Sequence, residues 1–166
     1  MKFPIRYLPP SLTKKEKEVQ ARFLQRSKKA YKQHKYYTRN LGKHKIRSFK
    51  TNKSKHLQTV KKLYRIDHPI RIDQDLIQKT GCTRKSLEKI VNKGEGAYYS
   101  SGSRPNQTPQ SWGYARLASA ITGQKAAVVD YSIIETGCDH RKPAFRLAKL
   151  AKKKGLRHTP KTNISL

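Results

Sequence analysis

Positive charge is concentrated at the two ends of this sequence, which limits the parts of the chain that can pack into a core. Residues 1–66 carry 21 Lys and Arg against two Glu, residues 67–139 carry nine against eight acids, and residues 140–166 carry nine against none. Like charges at this density repel one another and need counter-charge or a partner to stay compact. We therefore predict a basic N-terminal arm (1–66), a near-neutral helical core (67–139) and a basic C-terminal helix and tail (140–166).

The composition argues against several classes of protein. No run of about 18 apolar residues exists, so no membrane-spanning helix is expected. The charged, proline-interrupted start lacks the apolar segment of a secretory signal. Hydrophobic residues make up 34% of the chain, which is little for a large enzyme core, and the net charge of +29 favours a polyanionic partner or a crowded assembly.

Helix signals dominate and sustained alternation is missing, so we predict an all-α fold. Thr13 and Glu16 have the spacing of a capping box, which predicts a first helix that continues to about Tyr31. The apolar side of this helix would be formed by Val19, Phe23 and Ala30. A second amphipathic helix is predicted for 54–64. Its apolar residues are Leu57, Val60, Leu63 and Tyr64.

The near-neutral segment contains clear helix boundaries. Asp73 and Gly81 bound one short helix, and Thr83 and Gly94 bound the next, so the pair forms a helix-turn-helix-like hairpin. In a DNA-reading hairpin the second helix would present cations to the major groove, whereas in a structural hairpin the same side chains form a solvated face, which we favour. These cations are Arg84, Lys85 and Lys89.

Three more helices are predicted towards the C-terminus. Thr108 caps a helix that starts at Pro109 and contains the only tryptophan, Trp112, so we expect this helix at the centre of the core. One helix is predicted over 125–136, and the last starts at Pro143. The inward residues of the former are Ala126, Val129, Ile133 and Ile134. Those of the latter are Ala144, Leu147, Ala148 and Ala151.

A polar segment over 94–107 is predicted to be a long loop, since it contains three glycines. Its Gly and Ser amides could hold an anion with the help of Arg104. The segment could equally be a tightly packed turn locked by Tyr98 and Tyr99. No Lys-Ser/Thr follows in the register of a P-loop, so a nucleotide site is not predicted.

Lysines and arginines alternate with aromatic residues in the N-terminal segment. This pattern suits a phosphate backbone with exposed bases, and it equally suits rings that anchor in a protein groove while the lysines stay solvated. The candidate polyanion- or partner-binding residues are Lys28, Lys29, Lys35, Arg39, Lys43, Lys45, Arg47, Lys50, Lys53, Lys55, Arg104, Lys152, Lys153 and Lys154. The candidate aromatic anchors are Tyr31, Tyr36, Tyr37 and Phe49.

No catalytic, cofactor or metal site is predicted, because no acidic dyad or nucleophile elbow is present. Cys82 and Cys138 are expected to be free, buried thiols in a reducing compartment, and they could pair only if the fold brings them together. Cys138 and His140 place two types of zinc ligand close together, but without the paired spacing of a zinc site.

Several segments together resemble an uncharacterised protein family encoded by giant (nucleocytoplasmic large) DNA viruses, over roughly residues 35–155. These segments are FKTNKSKH (49–56), KKLY (61–64), GEGAYYSSGSRPNQT (94–108) and SWGYARLASAITG (111–123). A shorter version of the middle motif is similar to proteins of some tailed phages. The core and motif residues are Tyr98, Tyr99, Trp112, Tyr114, Arg116 and Leu117. The family has no activity to transfer, so no catalytic residue is assigned.

The resemblance implies a virion component that is present in the host cytoplasm during assembly. We expect a non-enzymatic minor capsid protein, without cofactor or small-molecule substrate, whose basic arms cement neighbouring subunits. Its partners would be major and minor capsid proteins, with nucleic acid or an anionic membrane surface as further partners. The alternative is a sequence-nonspecific nucleic-acid-binding protein that packages the viral genome. A ribosomal-type RNA-binding protein is a third interpretation.

Overall fold

The computed structural model describes residues 3–51, 54–156 and 163–164, and confirms the predicted all-α class. A short antiparallel pair of strands, β1 (Phe3–Pro4) and β2 (Asn163–Ile164), was not predicted. The helices are α1 (Lys14–Lys32), α2 (Leu41–His44), α3 (Lys55–Tyr64), α4 (Gln74–Thr80), α5 (Arg84–Ser100), α6 (Pro109–Ile121), α7 (Lys125–Val129), α8 (Tyr131–Gly137) and α9 (Pro143–Lys153). In the described residues, no helix combines the length and apolar character needed to cross a membrane.

The chain divides into two compact units whose limits differ from the predicted boundaries after residues 66 and 139. The first unit comprises residues 1–52, 95–109 and 159–166, and the second comprises 53–94 and 110–158. The predicted basic arms are therefore not confirmed. The physical reason is that the N-terminal segment has an apolar core of its own. This core includes Phe3, Tyr7, Leu8, Leu12, Phe23 and Leu24, all of which are buried.

Helix α1 begins as predicted, and of its predicted inner residues Phe23 is buried and Ala30 is half-buried. Thr13 and Glu16 form the predicted capping box. Val19, expected on the inner side, is exposed, and two polar residues are buried instead. Gln20 Nε2 donates to the carbonyl of Ser103 at 3.3 Å, and Ser27 Oγ donates to the carbonyl of Tyr99. These hydrogen bonds satisfy the buried Nε2 of Gln20 and the hydroxyl of Ser27, whereas Oε1 of Gln20 is buried without a hydrogen-bond partner among the described residues. The face of α1 is therefore set by tertiary contacts as well as by hydrophobicity.

The prediction of a loop over 94–107 is wrong for its first half, because α5 continues through Gly94 to Ser100. Gly94 lies against α6, where an added Cβ would be 2.6 Å from the Cα of Gly113. The glycine therefore marks a close approach of two helices and does not stop α5. Only the residues that follow Ser100 form a loop, up to the start of α6 at Pro109.

In the second unit, several local signals are confirmed. Asp73 caps α4 through a hydrogen bond from the amide of Leu76 at 3.0 Å, and Gly81 ends that helix with φ of +75°. Pro143 begins α9 as predicted. The fully buried centre of this unit includes Val60, Leu76, Leu87, Ile90, Leu117, Ile121 and Ile134.

Helix α6 lies in the core as predicted, since Leu117, Ala118 and Ile121 are fully buried, although Trp112 itself is only half-buried and lies outside the buried core cluster. Two other expectations about burial in the second unit are wrong. Leu63 and Val129 were assigned to inner faces but are exposed. Hydrophobicity alone placed these side chains inward, whereas aliphatic residues of α4, α5, α6 and α8 already fill the centre.

The single helix predicted over 125–136 is also wrong, since Asp130 separates α7 from α8. Its backbone dihedrals are φ −101° and ψ 18°, and its carboxylate is fully buried. A buried carboxylate needs a partner of opposite charge, and at this break between the helices Asp130 pairs with Lys93 and Arg116.

The expectation of free thiols is wrong, because Cys82 and Cys138 form a disulfide. The two residues are paired as an isolated antiparallel bridge with Cα atoms 3.9 Å apart. The amide of Thr83 donates to the carbonyl of Gly137 at 2.9 Å, and the amide of Asp139 donates to Gly81 at 2.7 Å. The backbone pairing brings the sulfur atoms together, and Cys138 is thereby unavailable as the thiolate ligand of a zinc site.

Candidate polyanion-binding surface

The predicted basic residues are distributed over both units. In the first unit all of them are exposed except Arg39, which is half-buried. These are Lys28, Lys29, Lys35, Arg39, Lys43, Lys45, Arg47, Lys50 and Arg104. The second unit contains the exposed Lys55, Lys152, Lys153 and Lys154. Lys53 lies outside the described residues.

Glu16 fixes the basic segment 45–50 beside the first turn of α1. Its carboxylate accepts hydrogen bonds from the amide and hydroxyl of Thr13, at 3.1 and 2.9 Å. It also accepts from the amide of Ser48 at 3.2 Å and from the Ser48 hydroxyl. These hydrogen bonds, led by that of the Ser48 side chain, lower the pKa of Glu16 to about 2. The carboxylate is therefore ionised, and it holds Ser48 in place while the neighbouring cations remain exposed.

Asn106 holds the same segment from the other side, through its side-chain amide. Its Oδ1 accepts from the amide of Ile46 at 2.9 Å, and its Nδ2 donates to the carbonyls of Ile46 and Phe49 at 2.8 and 3.4 Å. Asn106 itself has φ of +60°, a conformation that asparagine tolerates better than most residues. The predicted packed-turn interpretation of this loop is thus favoured, and Tyr98 contributes through a hydrogen bond from its hydroxyl to the carbonyl of Gln107.

Six aromatic residues of the first unit form a continuous row of rings. Tyr36 is the most exposed, at 71%, whereas Tyr98 is buried, and burial raises the pKa of Tyr98 to about 12. The centroid separations are 6.4 Å for Tyr31–Tyr36, 4.8 Å for Tyr36–Tyr99, 5.3 Å for Tyr99–Tyr98, 6.2 Å for Tyr98–Phe23 and 5.8 Å for Phe23–Tyr37. The predicted anchor Phe49 is half-buried. The exposed ring of Tyr36 therefore lies against the half-buried Tyr99, which in turn contacts the buried Tyr98.

An open groove of about 380 Å³ lies between α1 and the segment 37–44. Its charged and aromatic lining residues include Arg22, Arg26, Phe23, Tyr37, Arg39 and His44. The guanidinium of Arg39 lies 4.4 Å from the ring centre of Phe23, and its Nη2 donates to the carbonyl of Val19 at 3.4 Å. None of the described lining residues is acidic.

A buried ionic cluster in the second unit involves Arg116, which was predicted as a motif residue. Arg116 donates two hydrogen bonds of 2.8 Å to the carboxylate of Asp130. Lys93 Nζ lies 3.0 Å from the same carboxylate. Bidentate pairing with a fully buried acid is a strong structural interaction, so Arg116 holds α6 to the break between α7 and α8.

Other predicted residues of the second unit are engaged within the protein. Lys152 Nζ lies 4.1 Å from the ring centre of Tyr131, which is a cation–π contact. Arg84 pairs with Glu88 at 3.9 Å and donates to the carbonyl of Ile72 at 2.7 Å. Leu117 is fully buried, whereas Tyr114 is half-buried. These contacts assign structural roles to several residues that composition alone would place on a binding face.

Sequence reasoning missed the residues that turn the basic surface into a groove. Arg22 and Arg26 are four residues apart on α1, so a shared face was available from helical spacing. Residues 37–44 return towards that face through tertiary contacts, and no local sequence pattern predicts this return. Asp130 was also missed, because its partners come from positions that are distant in the sequence.

The fold and surface define a small helical protein with a strongly basic exterior. A family model described as "Family of unknown function (DUF5824)" matches residues 4–133, which is more than half of the chain. The chain therefore belongs to this family. Neither a curated protein nor a solved structure matches it.

Proposed function

We propose that this protein is a non-enzymatic minor capsid protein of a large DNA virus, present in the virion and in the host cytoplasm during assembly. It bridges neighbouring capsid subunits through its basic surface. The observation that carries the proposal is the unneutralised charge of the first unit. Within the described residues, no carboxylate lies within 4 Å of the lysines of segment 35–50.

The position of the sequence motif supports this proposal. The segment GEGAYYSSGSRPNQT carries much of the resemblance to viral proteins, and its Asn106 holds the backbone of the basic segment at Ile46. Its Tyr99 and Ser103 accept hydrogen bonds from α1 through their carbonyls. A motif that positions cations, and that contains no evident catalytic group, suits a protein that works by contact with partners.

In this proposal the basic N-terminal and C-terminal segments act as arms that contact acidic capsid surfaces or the anionic membrane beneath them. The helix-turn-helix-like hairpin of α4 and α5 serves as a scaffold. The engagement of Arg84 with Glu88 and Ile72 supports that role over base reading.

Stepwise disassembly of purified particles tests the proposal. The protein is expected in the fraction that contains capsid proteins, and cross-linking mass spectrometry is expected to join Lys35, Lys43 or Lys45 to capsid subunits. Recovery only with the genome, or only in infected-cell extracts outside particles, would contradict the proposal.

A second candidate function, sequence-nonspecific nucleic-acid binding, is favoured by the exposed ring of Tyr36 among lysines. Such a protein loses affinity steeply with salt, by about 0.7 in log–log slope per phosphate contacted on a single strand. A weak salt dependence of binding to a viral DNA fragment would exclude this candidate and leave the capsid role standing.

A further inference from the structure

We propose that the groove between α1 and residues 37–44 is a binding site for single-stranded nucleic acid, in which backbone phosphate groups lie on Arg22, Arg26 and Arg39. The inference does not depend on the capsid role, and it gives the second candidate function, nucleic-acid binding, a defined site.

The groove contains a partly buried cation that has no nearby carboxylate in the described part of the chain, so an anionic ligand would stabilise it more than it would stabilise the exposed cations around it. Arg39 is half-buried, and no carboxylate lies within 4 Å of its guanidinium or of that of Arg26 among the described residues. Arg22 has only the exposed Glu18 as partner, at 3.6 Å. A partly desolvated cation without a counter-charge is costly, and an anionic ligand offsets that cost.

The cations that line the groove include three arginines, and arginine side chains favour a phosphate group as the ligand. A guanidinium presents a planar fork of N–H donors that matches phosphate and carboxylate oxygens, whereas an ammonium is a point charge. Within the part of the chain that the structure describes, one donor of Arg39 is directed to a backbone carbonyl, that of Val19, so other N–H groups remain for a ligand. Arg22 and Arg26 are exposed on successive turns of α1, which suits successive phosphates of an extended strand.

The aromatic residues favour a nucleic-acid strand over an acidic peptide. Tyr37 lines the groove, and the adjacent Tyr36 presents its ring to solvent. Unpaired bases stack on such rings, whereas the bases of a duplex are already stacked on one another. An acidic peptide would use the arginines but would gain little from an exposed tyrosine ring.

The test compares two double variants of the full chain that remove equal charge from the same helix. Arg22→Gln with Arg26→Gln removes groove cations, and Lys14→Gln with Lys15→Gln removes exposed cations outside the groove. Binding of a fluorescent short oligothymidylate is measured by anisotropy across salt concentrations, with circular dichroism as a check on folding. We expect the groove variant to bind at least about tenfold more weakly, with a salt slope reduced by about 0.7 per lost phosphate contact.

Equal losses in the two double variants would overturn the proposal, because they would indicate diffuse attraction to a cationic surface. Equal affinity of the wild-type protein for a duplex of the same length would overturn the single-strand assignment. Displacement of the strand by polyglutamate at matched charge would assign the groove to an acidic peptide. A third variant, Arg39→Lys, retains the charge without the planar fork, and unchanged affinity in it would contradict phosphate recognition by Arg39.

Discussion

The two units of this protein carry similar excesses of positive charge but use their acids differently. The first has 18 Lys and Arg against three acids, and the second has 21 against seven. In the second unit the acids form ion pairs within the fold: Asp130 pairs with Lys93 and Arg116, and Asp75 pairs with Lys79 at 3.0 Å. In the first unit, the carboxylate of Glu16 is engaged by hydroxyl and amide groups, and most cations of its described residues lack an acidic partner within 4 Å. The second unit thus uses its acids to hold its own fold together, although its cations also outnumber them. The first unit has charge that only solvent or a partner can neutralise.

Removal of Arg116 disrupts the ion-pair cluster around Asp130 in the second unit and is expected to have the largest effect. In Arg116→Ala the buried carboxylate of Asp130 would keep only Lys93 as a partner. Loss of one partner of a buried ion pair costs about 3–5 kcal/mol. Urea denaturation would measure the loss, and Arg146→Ala, an exposed cation on α9, should change stability by less than about 0.5 kcal/mol. Similar values for both variants would show that the cluster contributes little.

Loss of the disulfide is expected to have the next largest effect, again in the second unit. The Cys82–Cys138 bond closes a long loop, since the two cysteines are 56 residues apart. Replacement of both cysteines by serine is expected to lower the free energy of unfolding by about 2–4 kcal/mol, chiefly through the greater freedom of the unfolded chain. Denaturation of the wild type with and without reductant provides the matched measurement. If reductant leaves the midpoint unchanged, the bond is absent in solution.

The change Asn106→Ala would loosen the first unit where the basic segment is attached. It removes three hydrogen bonds to the backbone at Ile46 and Phe49. Buried partners left without hydrogen bonds cost about 1–3 kcal/mol. Hydrogen exchange at the amide of Ile46 should accelerate, whereas Asn92→Ala, on the exposed side of α5, should leave it unchanged. Unaltered exchange in Asn106→Ala would show that other contacts hold the segment.

The smallest effect concerns pH and Glu16. Because hydrogen bonds lower the folded-state pKa of this carboxyl to about 2, its contribution to stability is present above the ordinary pKa of glutamate. That contribution is lost as the pH falls from the ordinary value through about 2. The amide of Ser48 should therefore exchange faster in strong acid in the wild type, relative to its intrinsic rate, and the Glu16→Gln variant should not show this dependence. A Glu16 carboxyl that titrates in nuclear magnetic resonance near its ordinary pKa would contradict the assignment.

Local signals predicted the helix ends well. The features that the sequence did not predict, such as the close helix contact at Gly94, depend on residues that are distant in the chain. Thr13, Asp73 and Pro143 act through hydrogen bonds or dihedrals within one turn, so their roles follow from the sequence. Gly94 illustrates the limit, because the glycine signal for a helix end is the same as the signal for a close helix contact.

In the candidate site, too, some features follow from local sequence and others depend on long-range contacts. The excess of cations and the interleaved tyrosines were evident from composition and spacing. Their arrangement into a groove was not, because it requires residues 37–44 to return to α1 at Arg22 and Arg26. The segment 45–50 is positioned by hydrogen bonds between Ile46 and Asn106 and between Ser48 and Glu16. These partners are tens of residues apart in the sequence, so no periodic pattern predicts them.

The comparison of the two units is tested most directly by hydrogen exchange of the full-length protein with and without a short single-stranded oligonucleotide. We expect the oligonucleotide to increase protection of amides from exchange in α1 and in residues 35–50, with little change in α6 and α8. Protection that is uniform along the chain, or that is greatest in α6 and α8, would contradict the claim that the strand binds to the first unit.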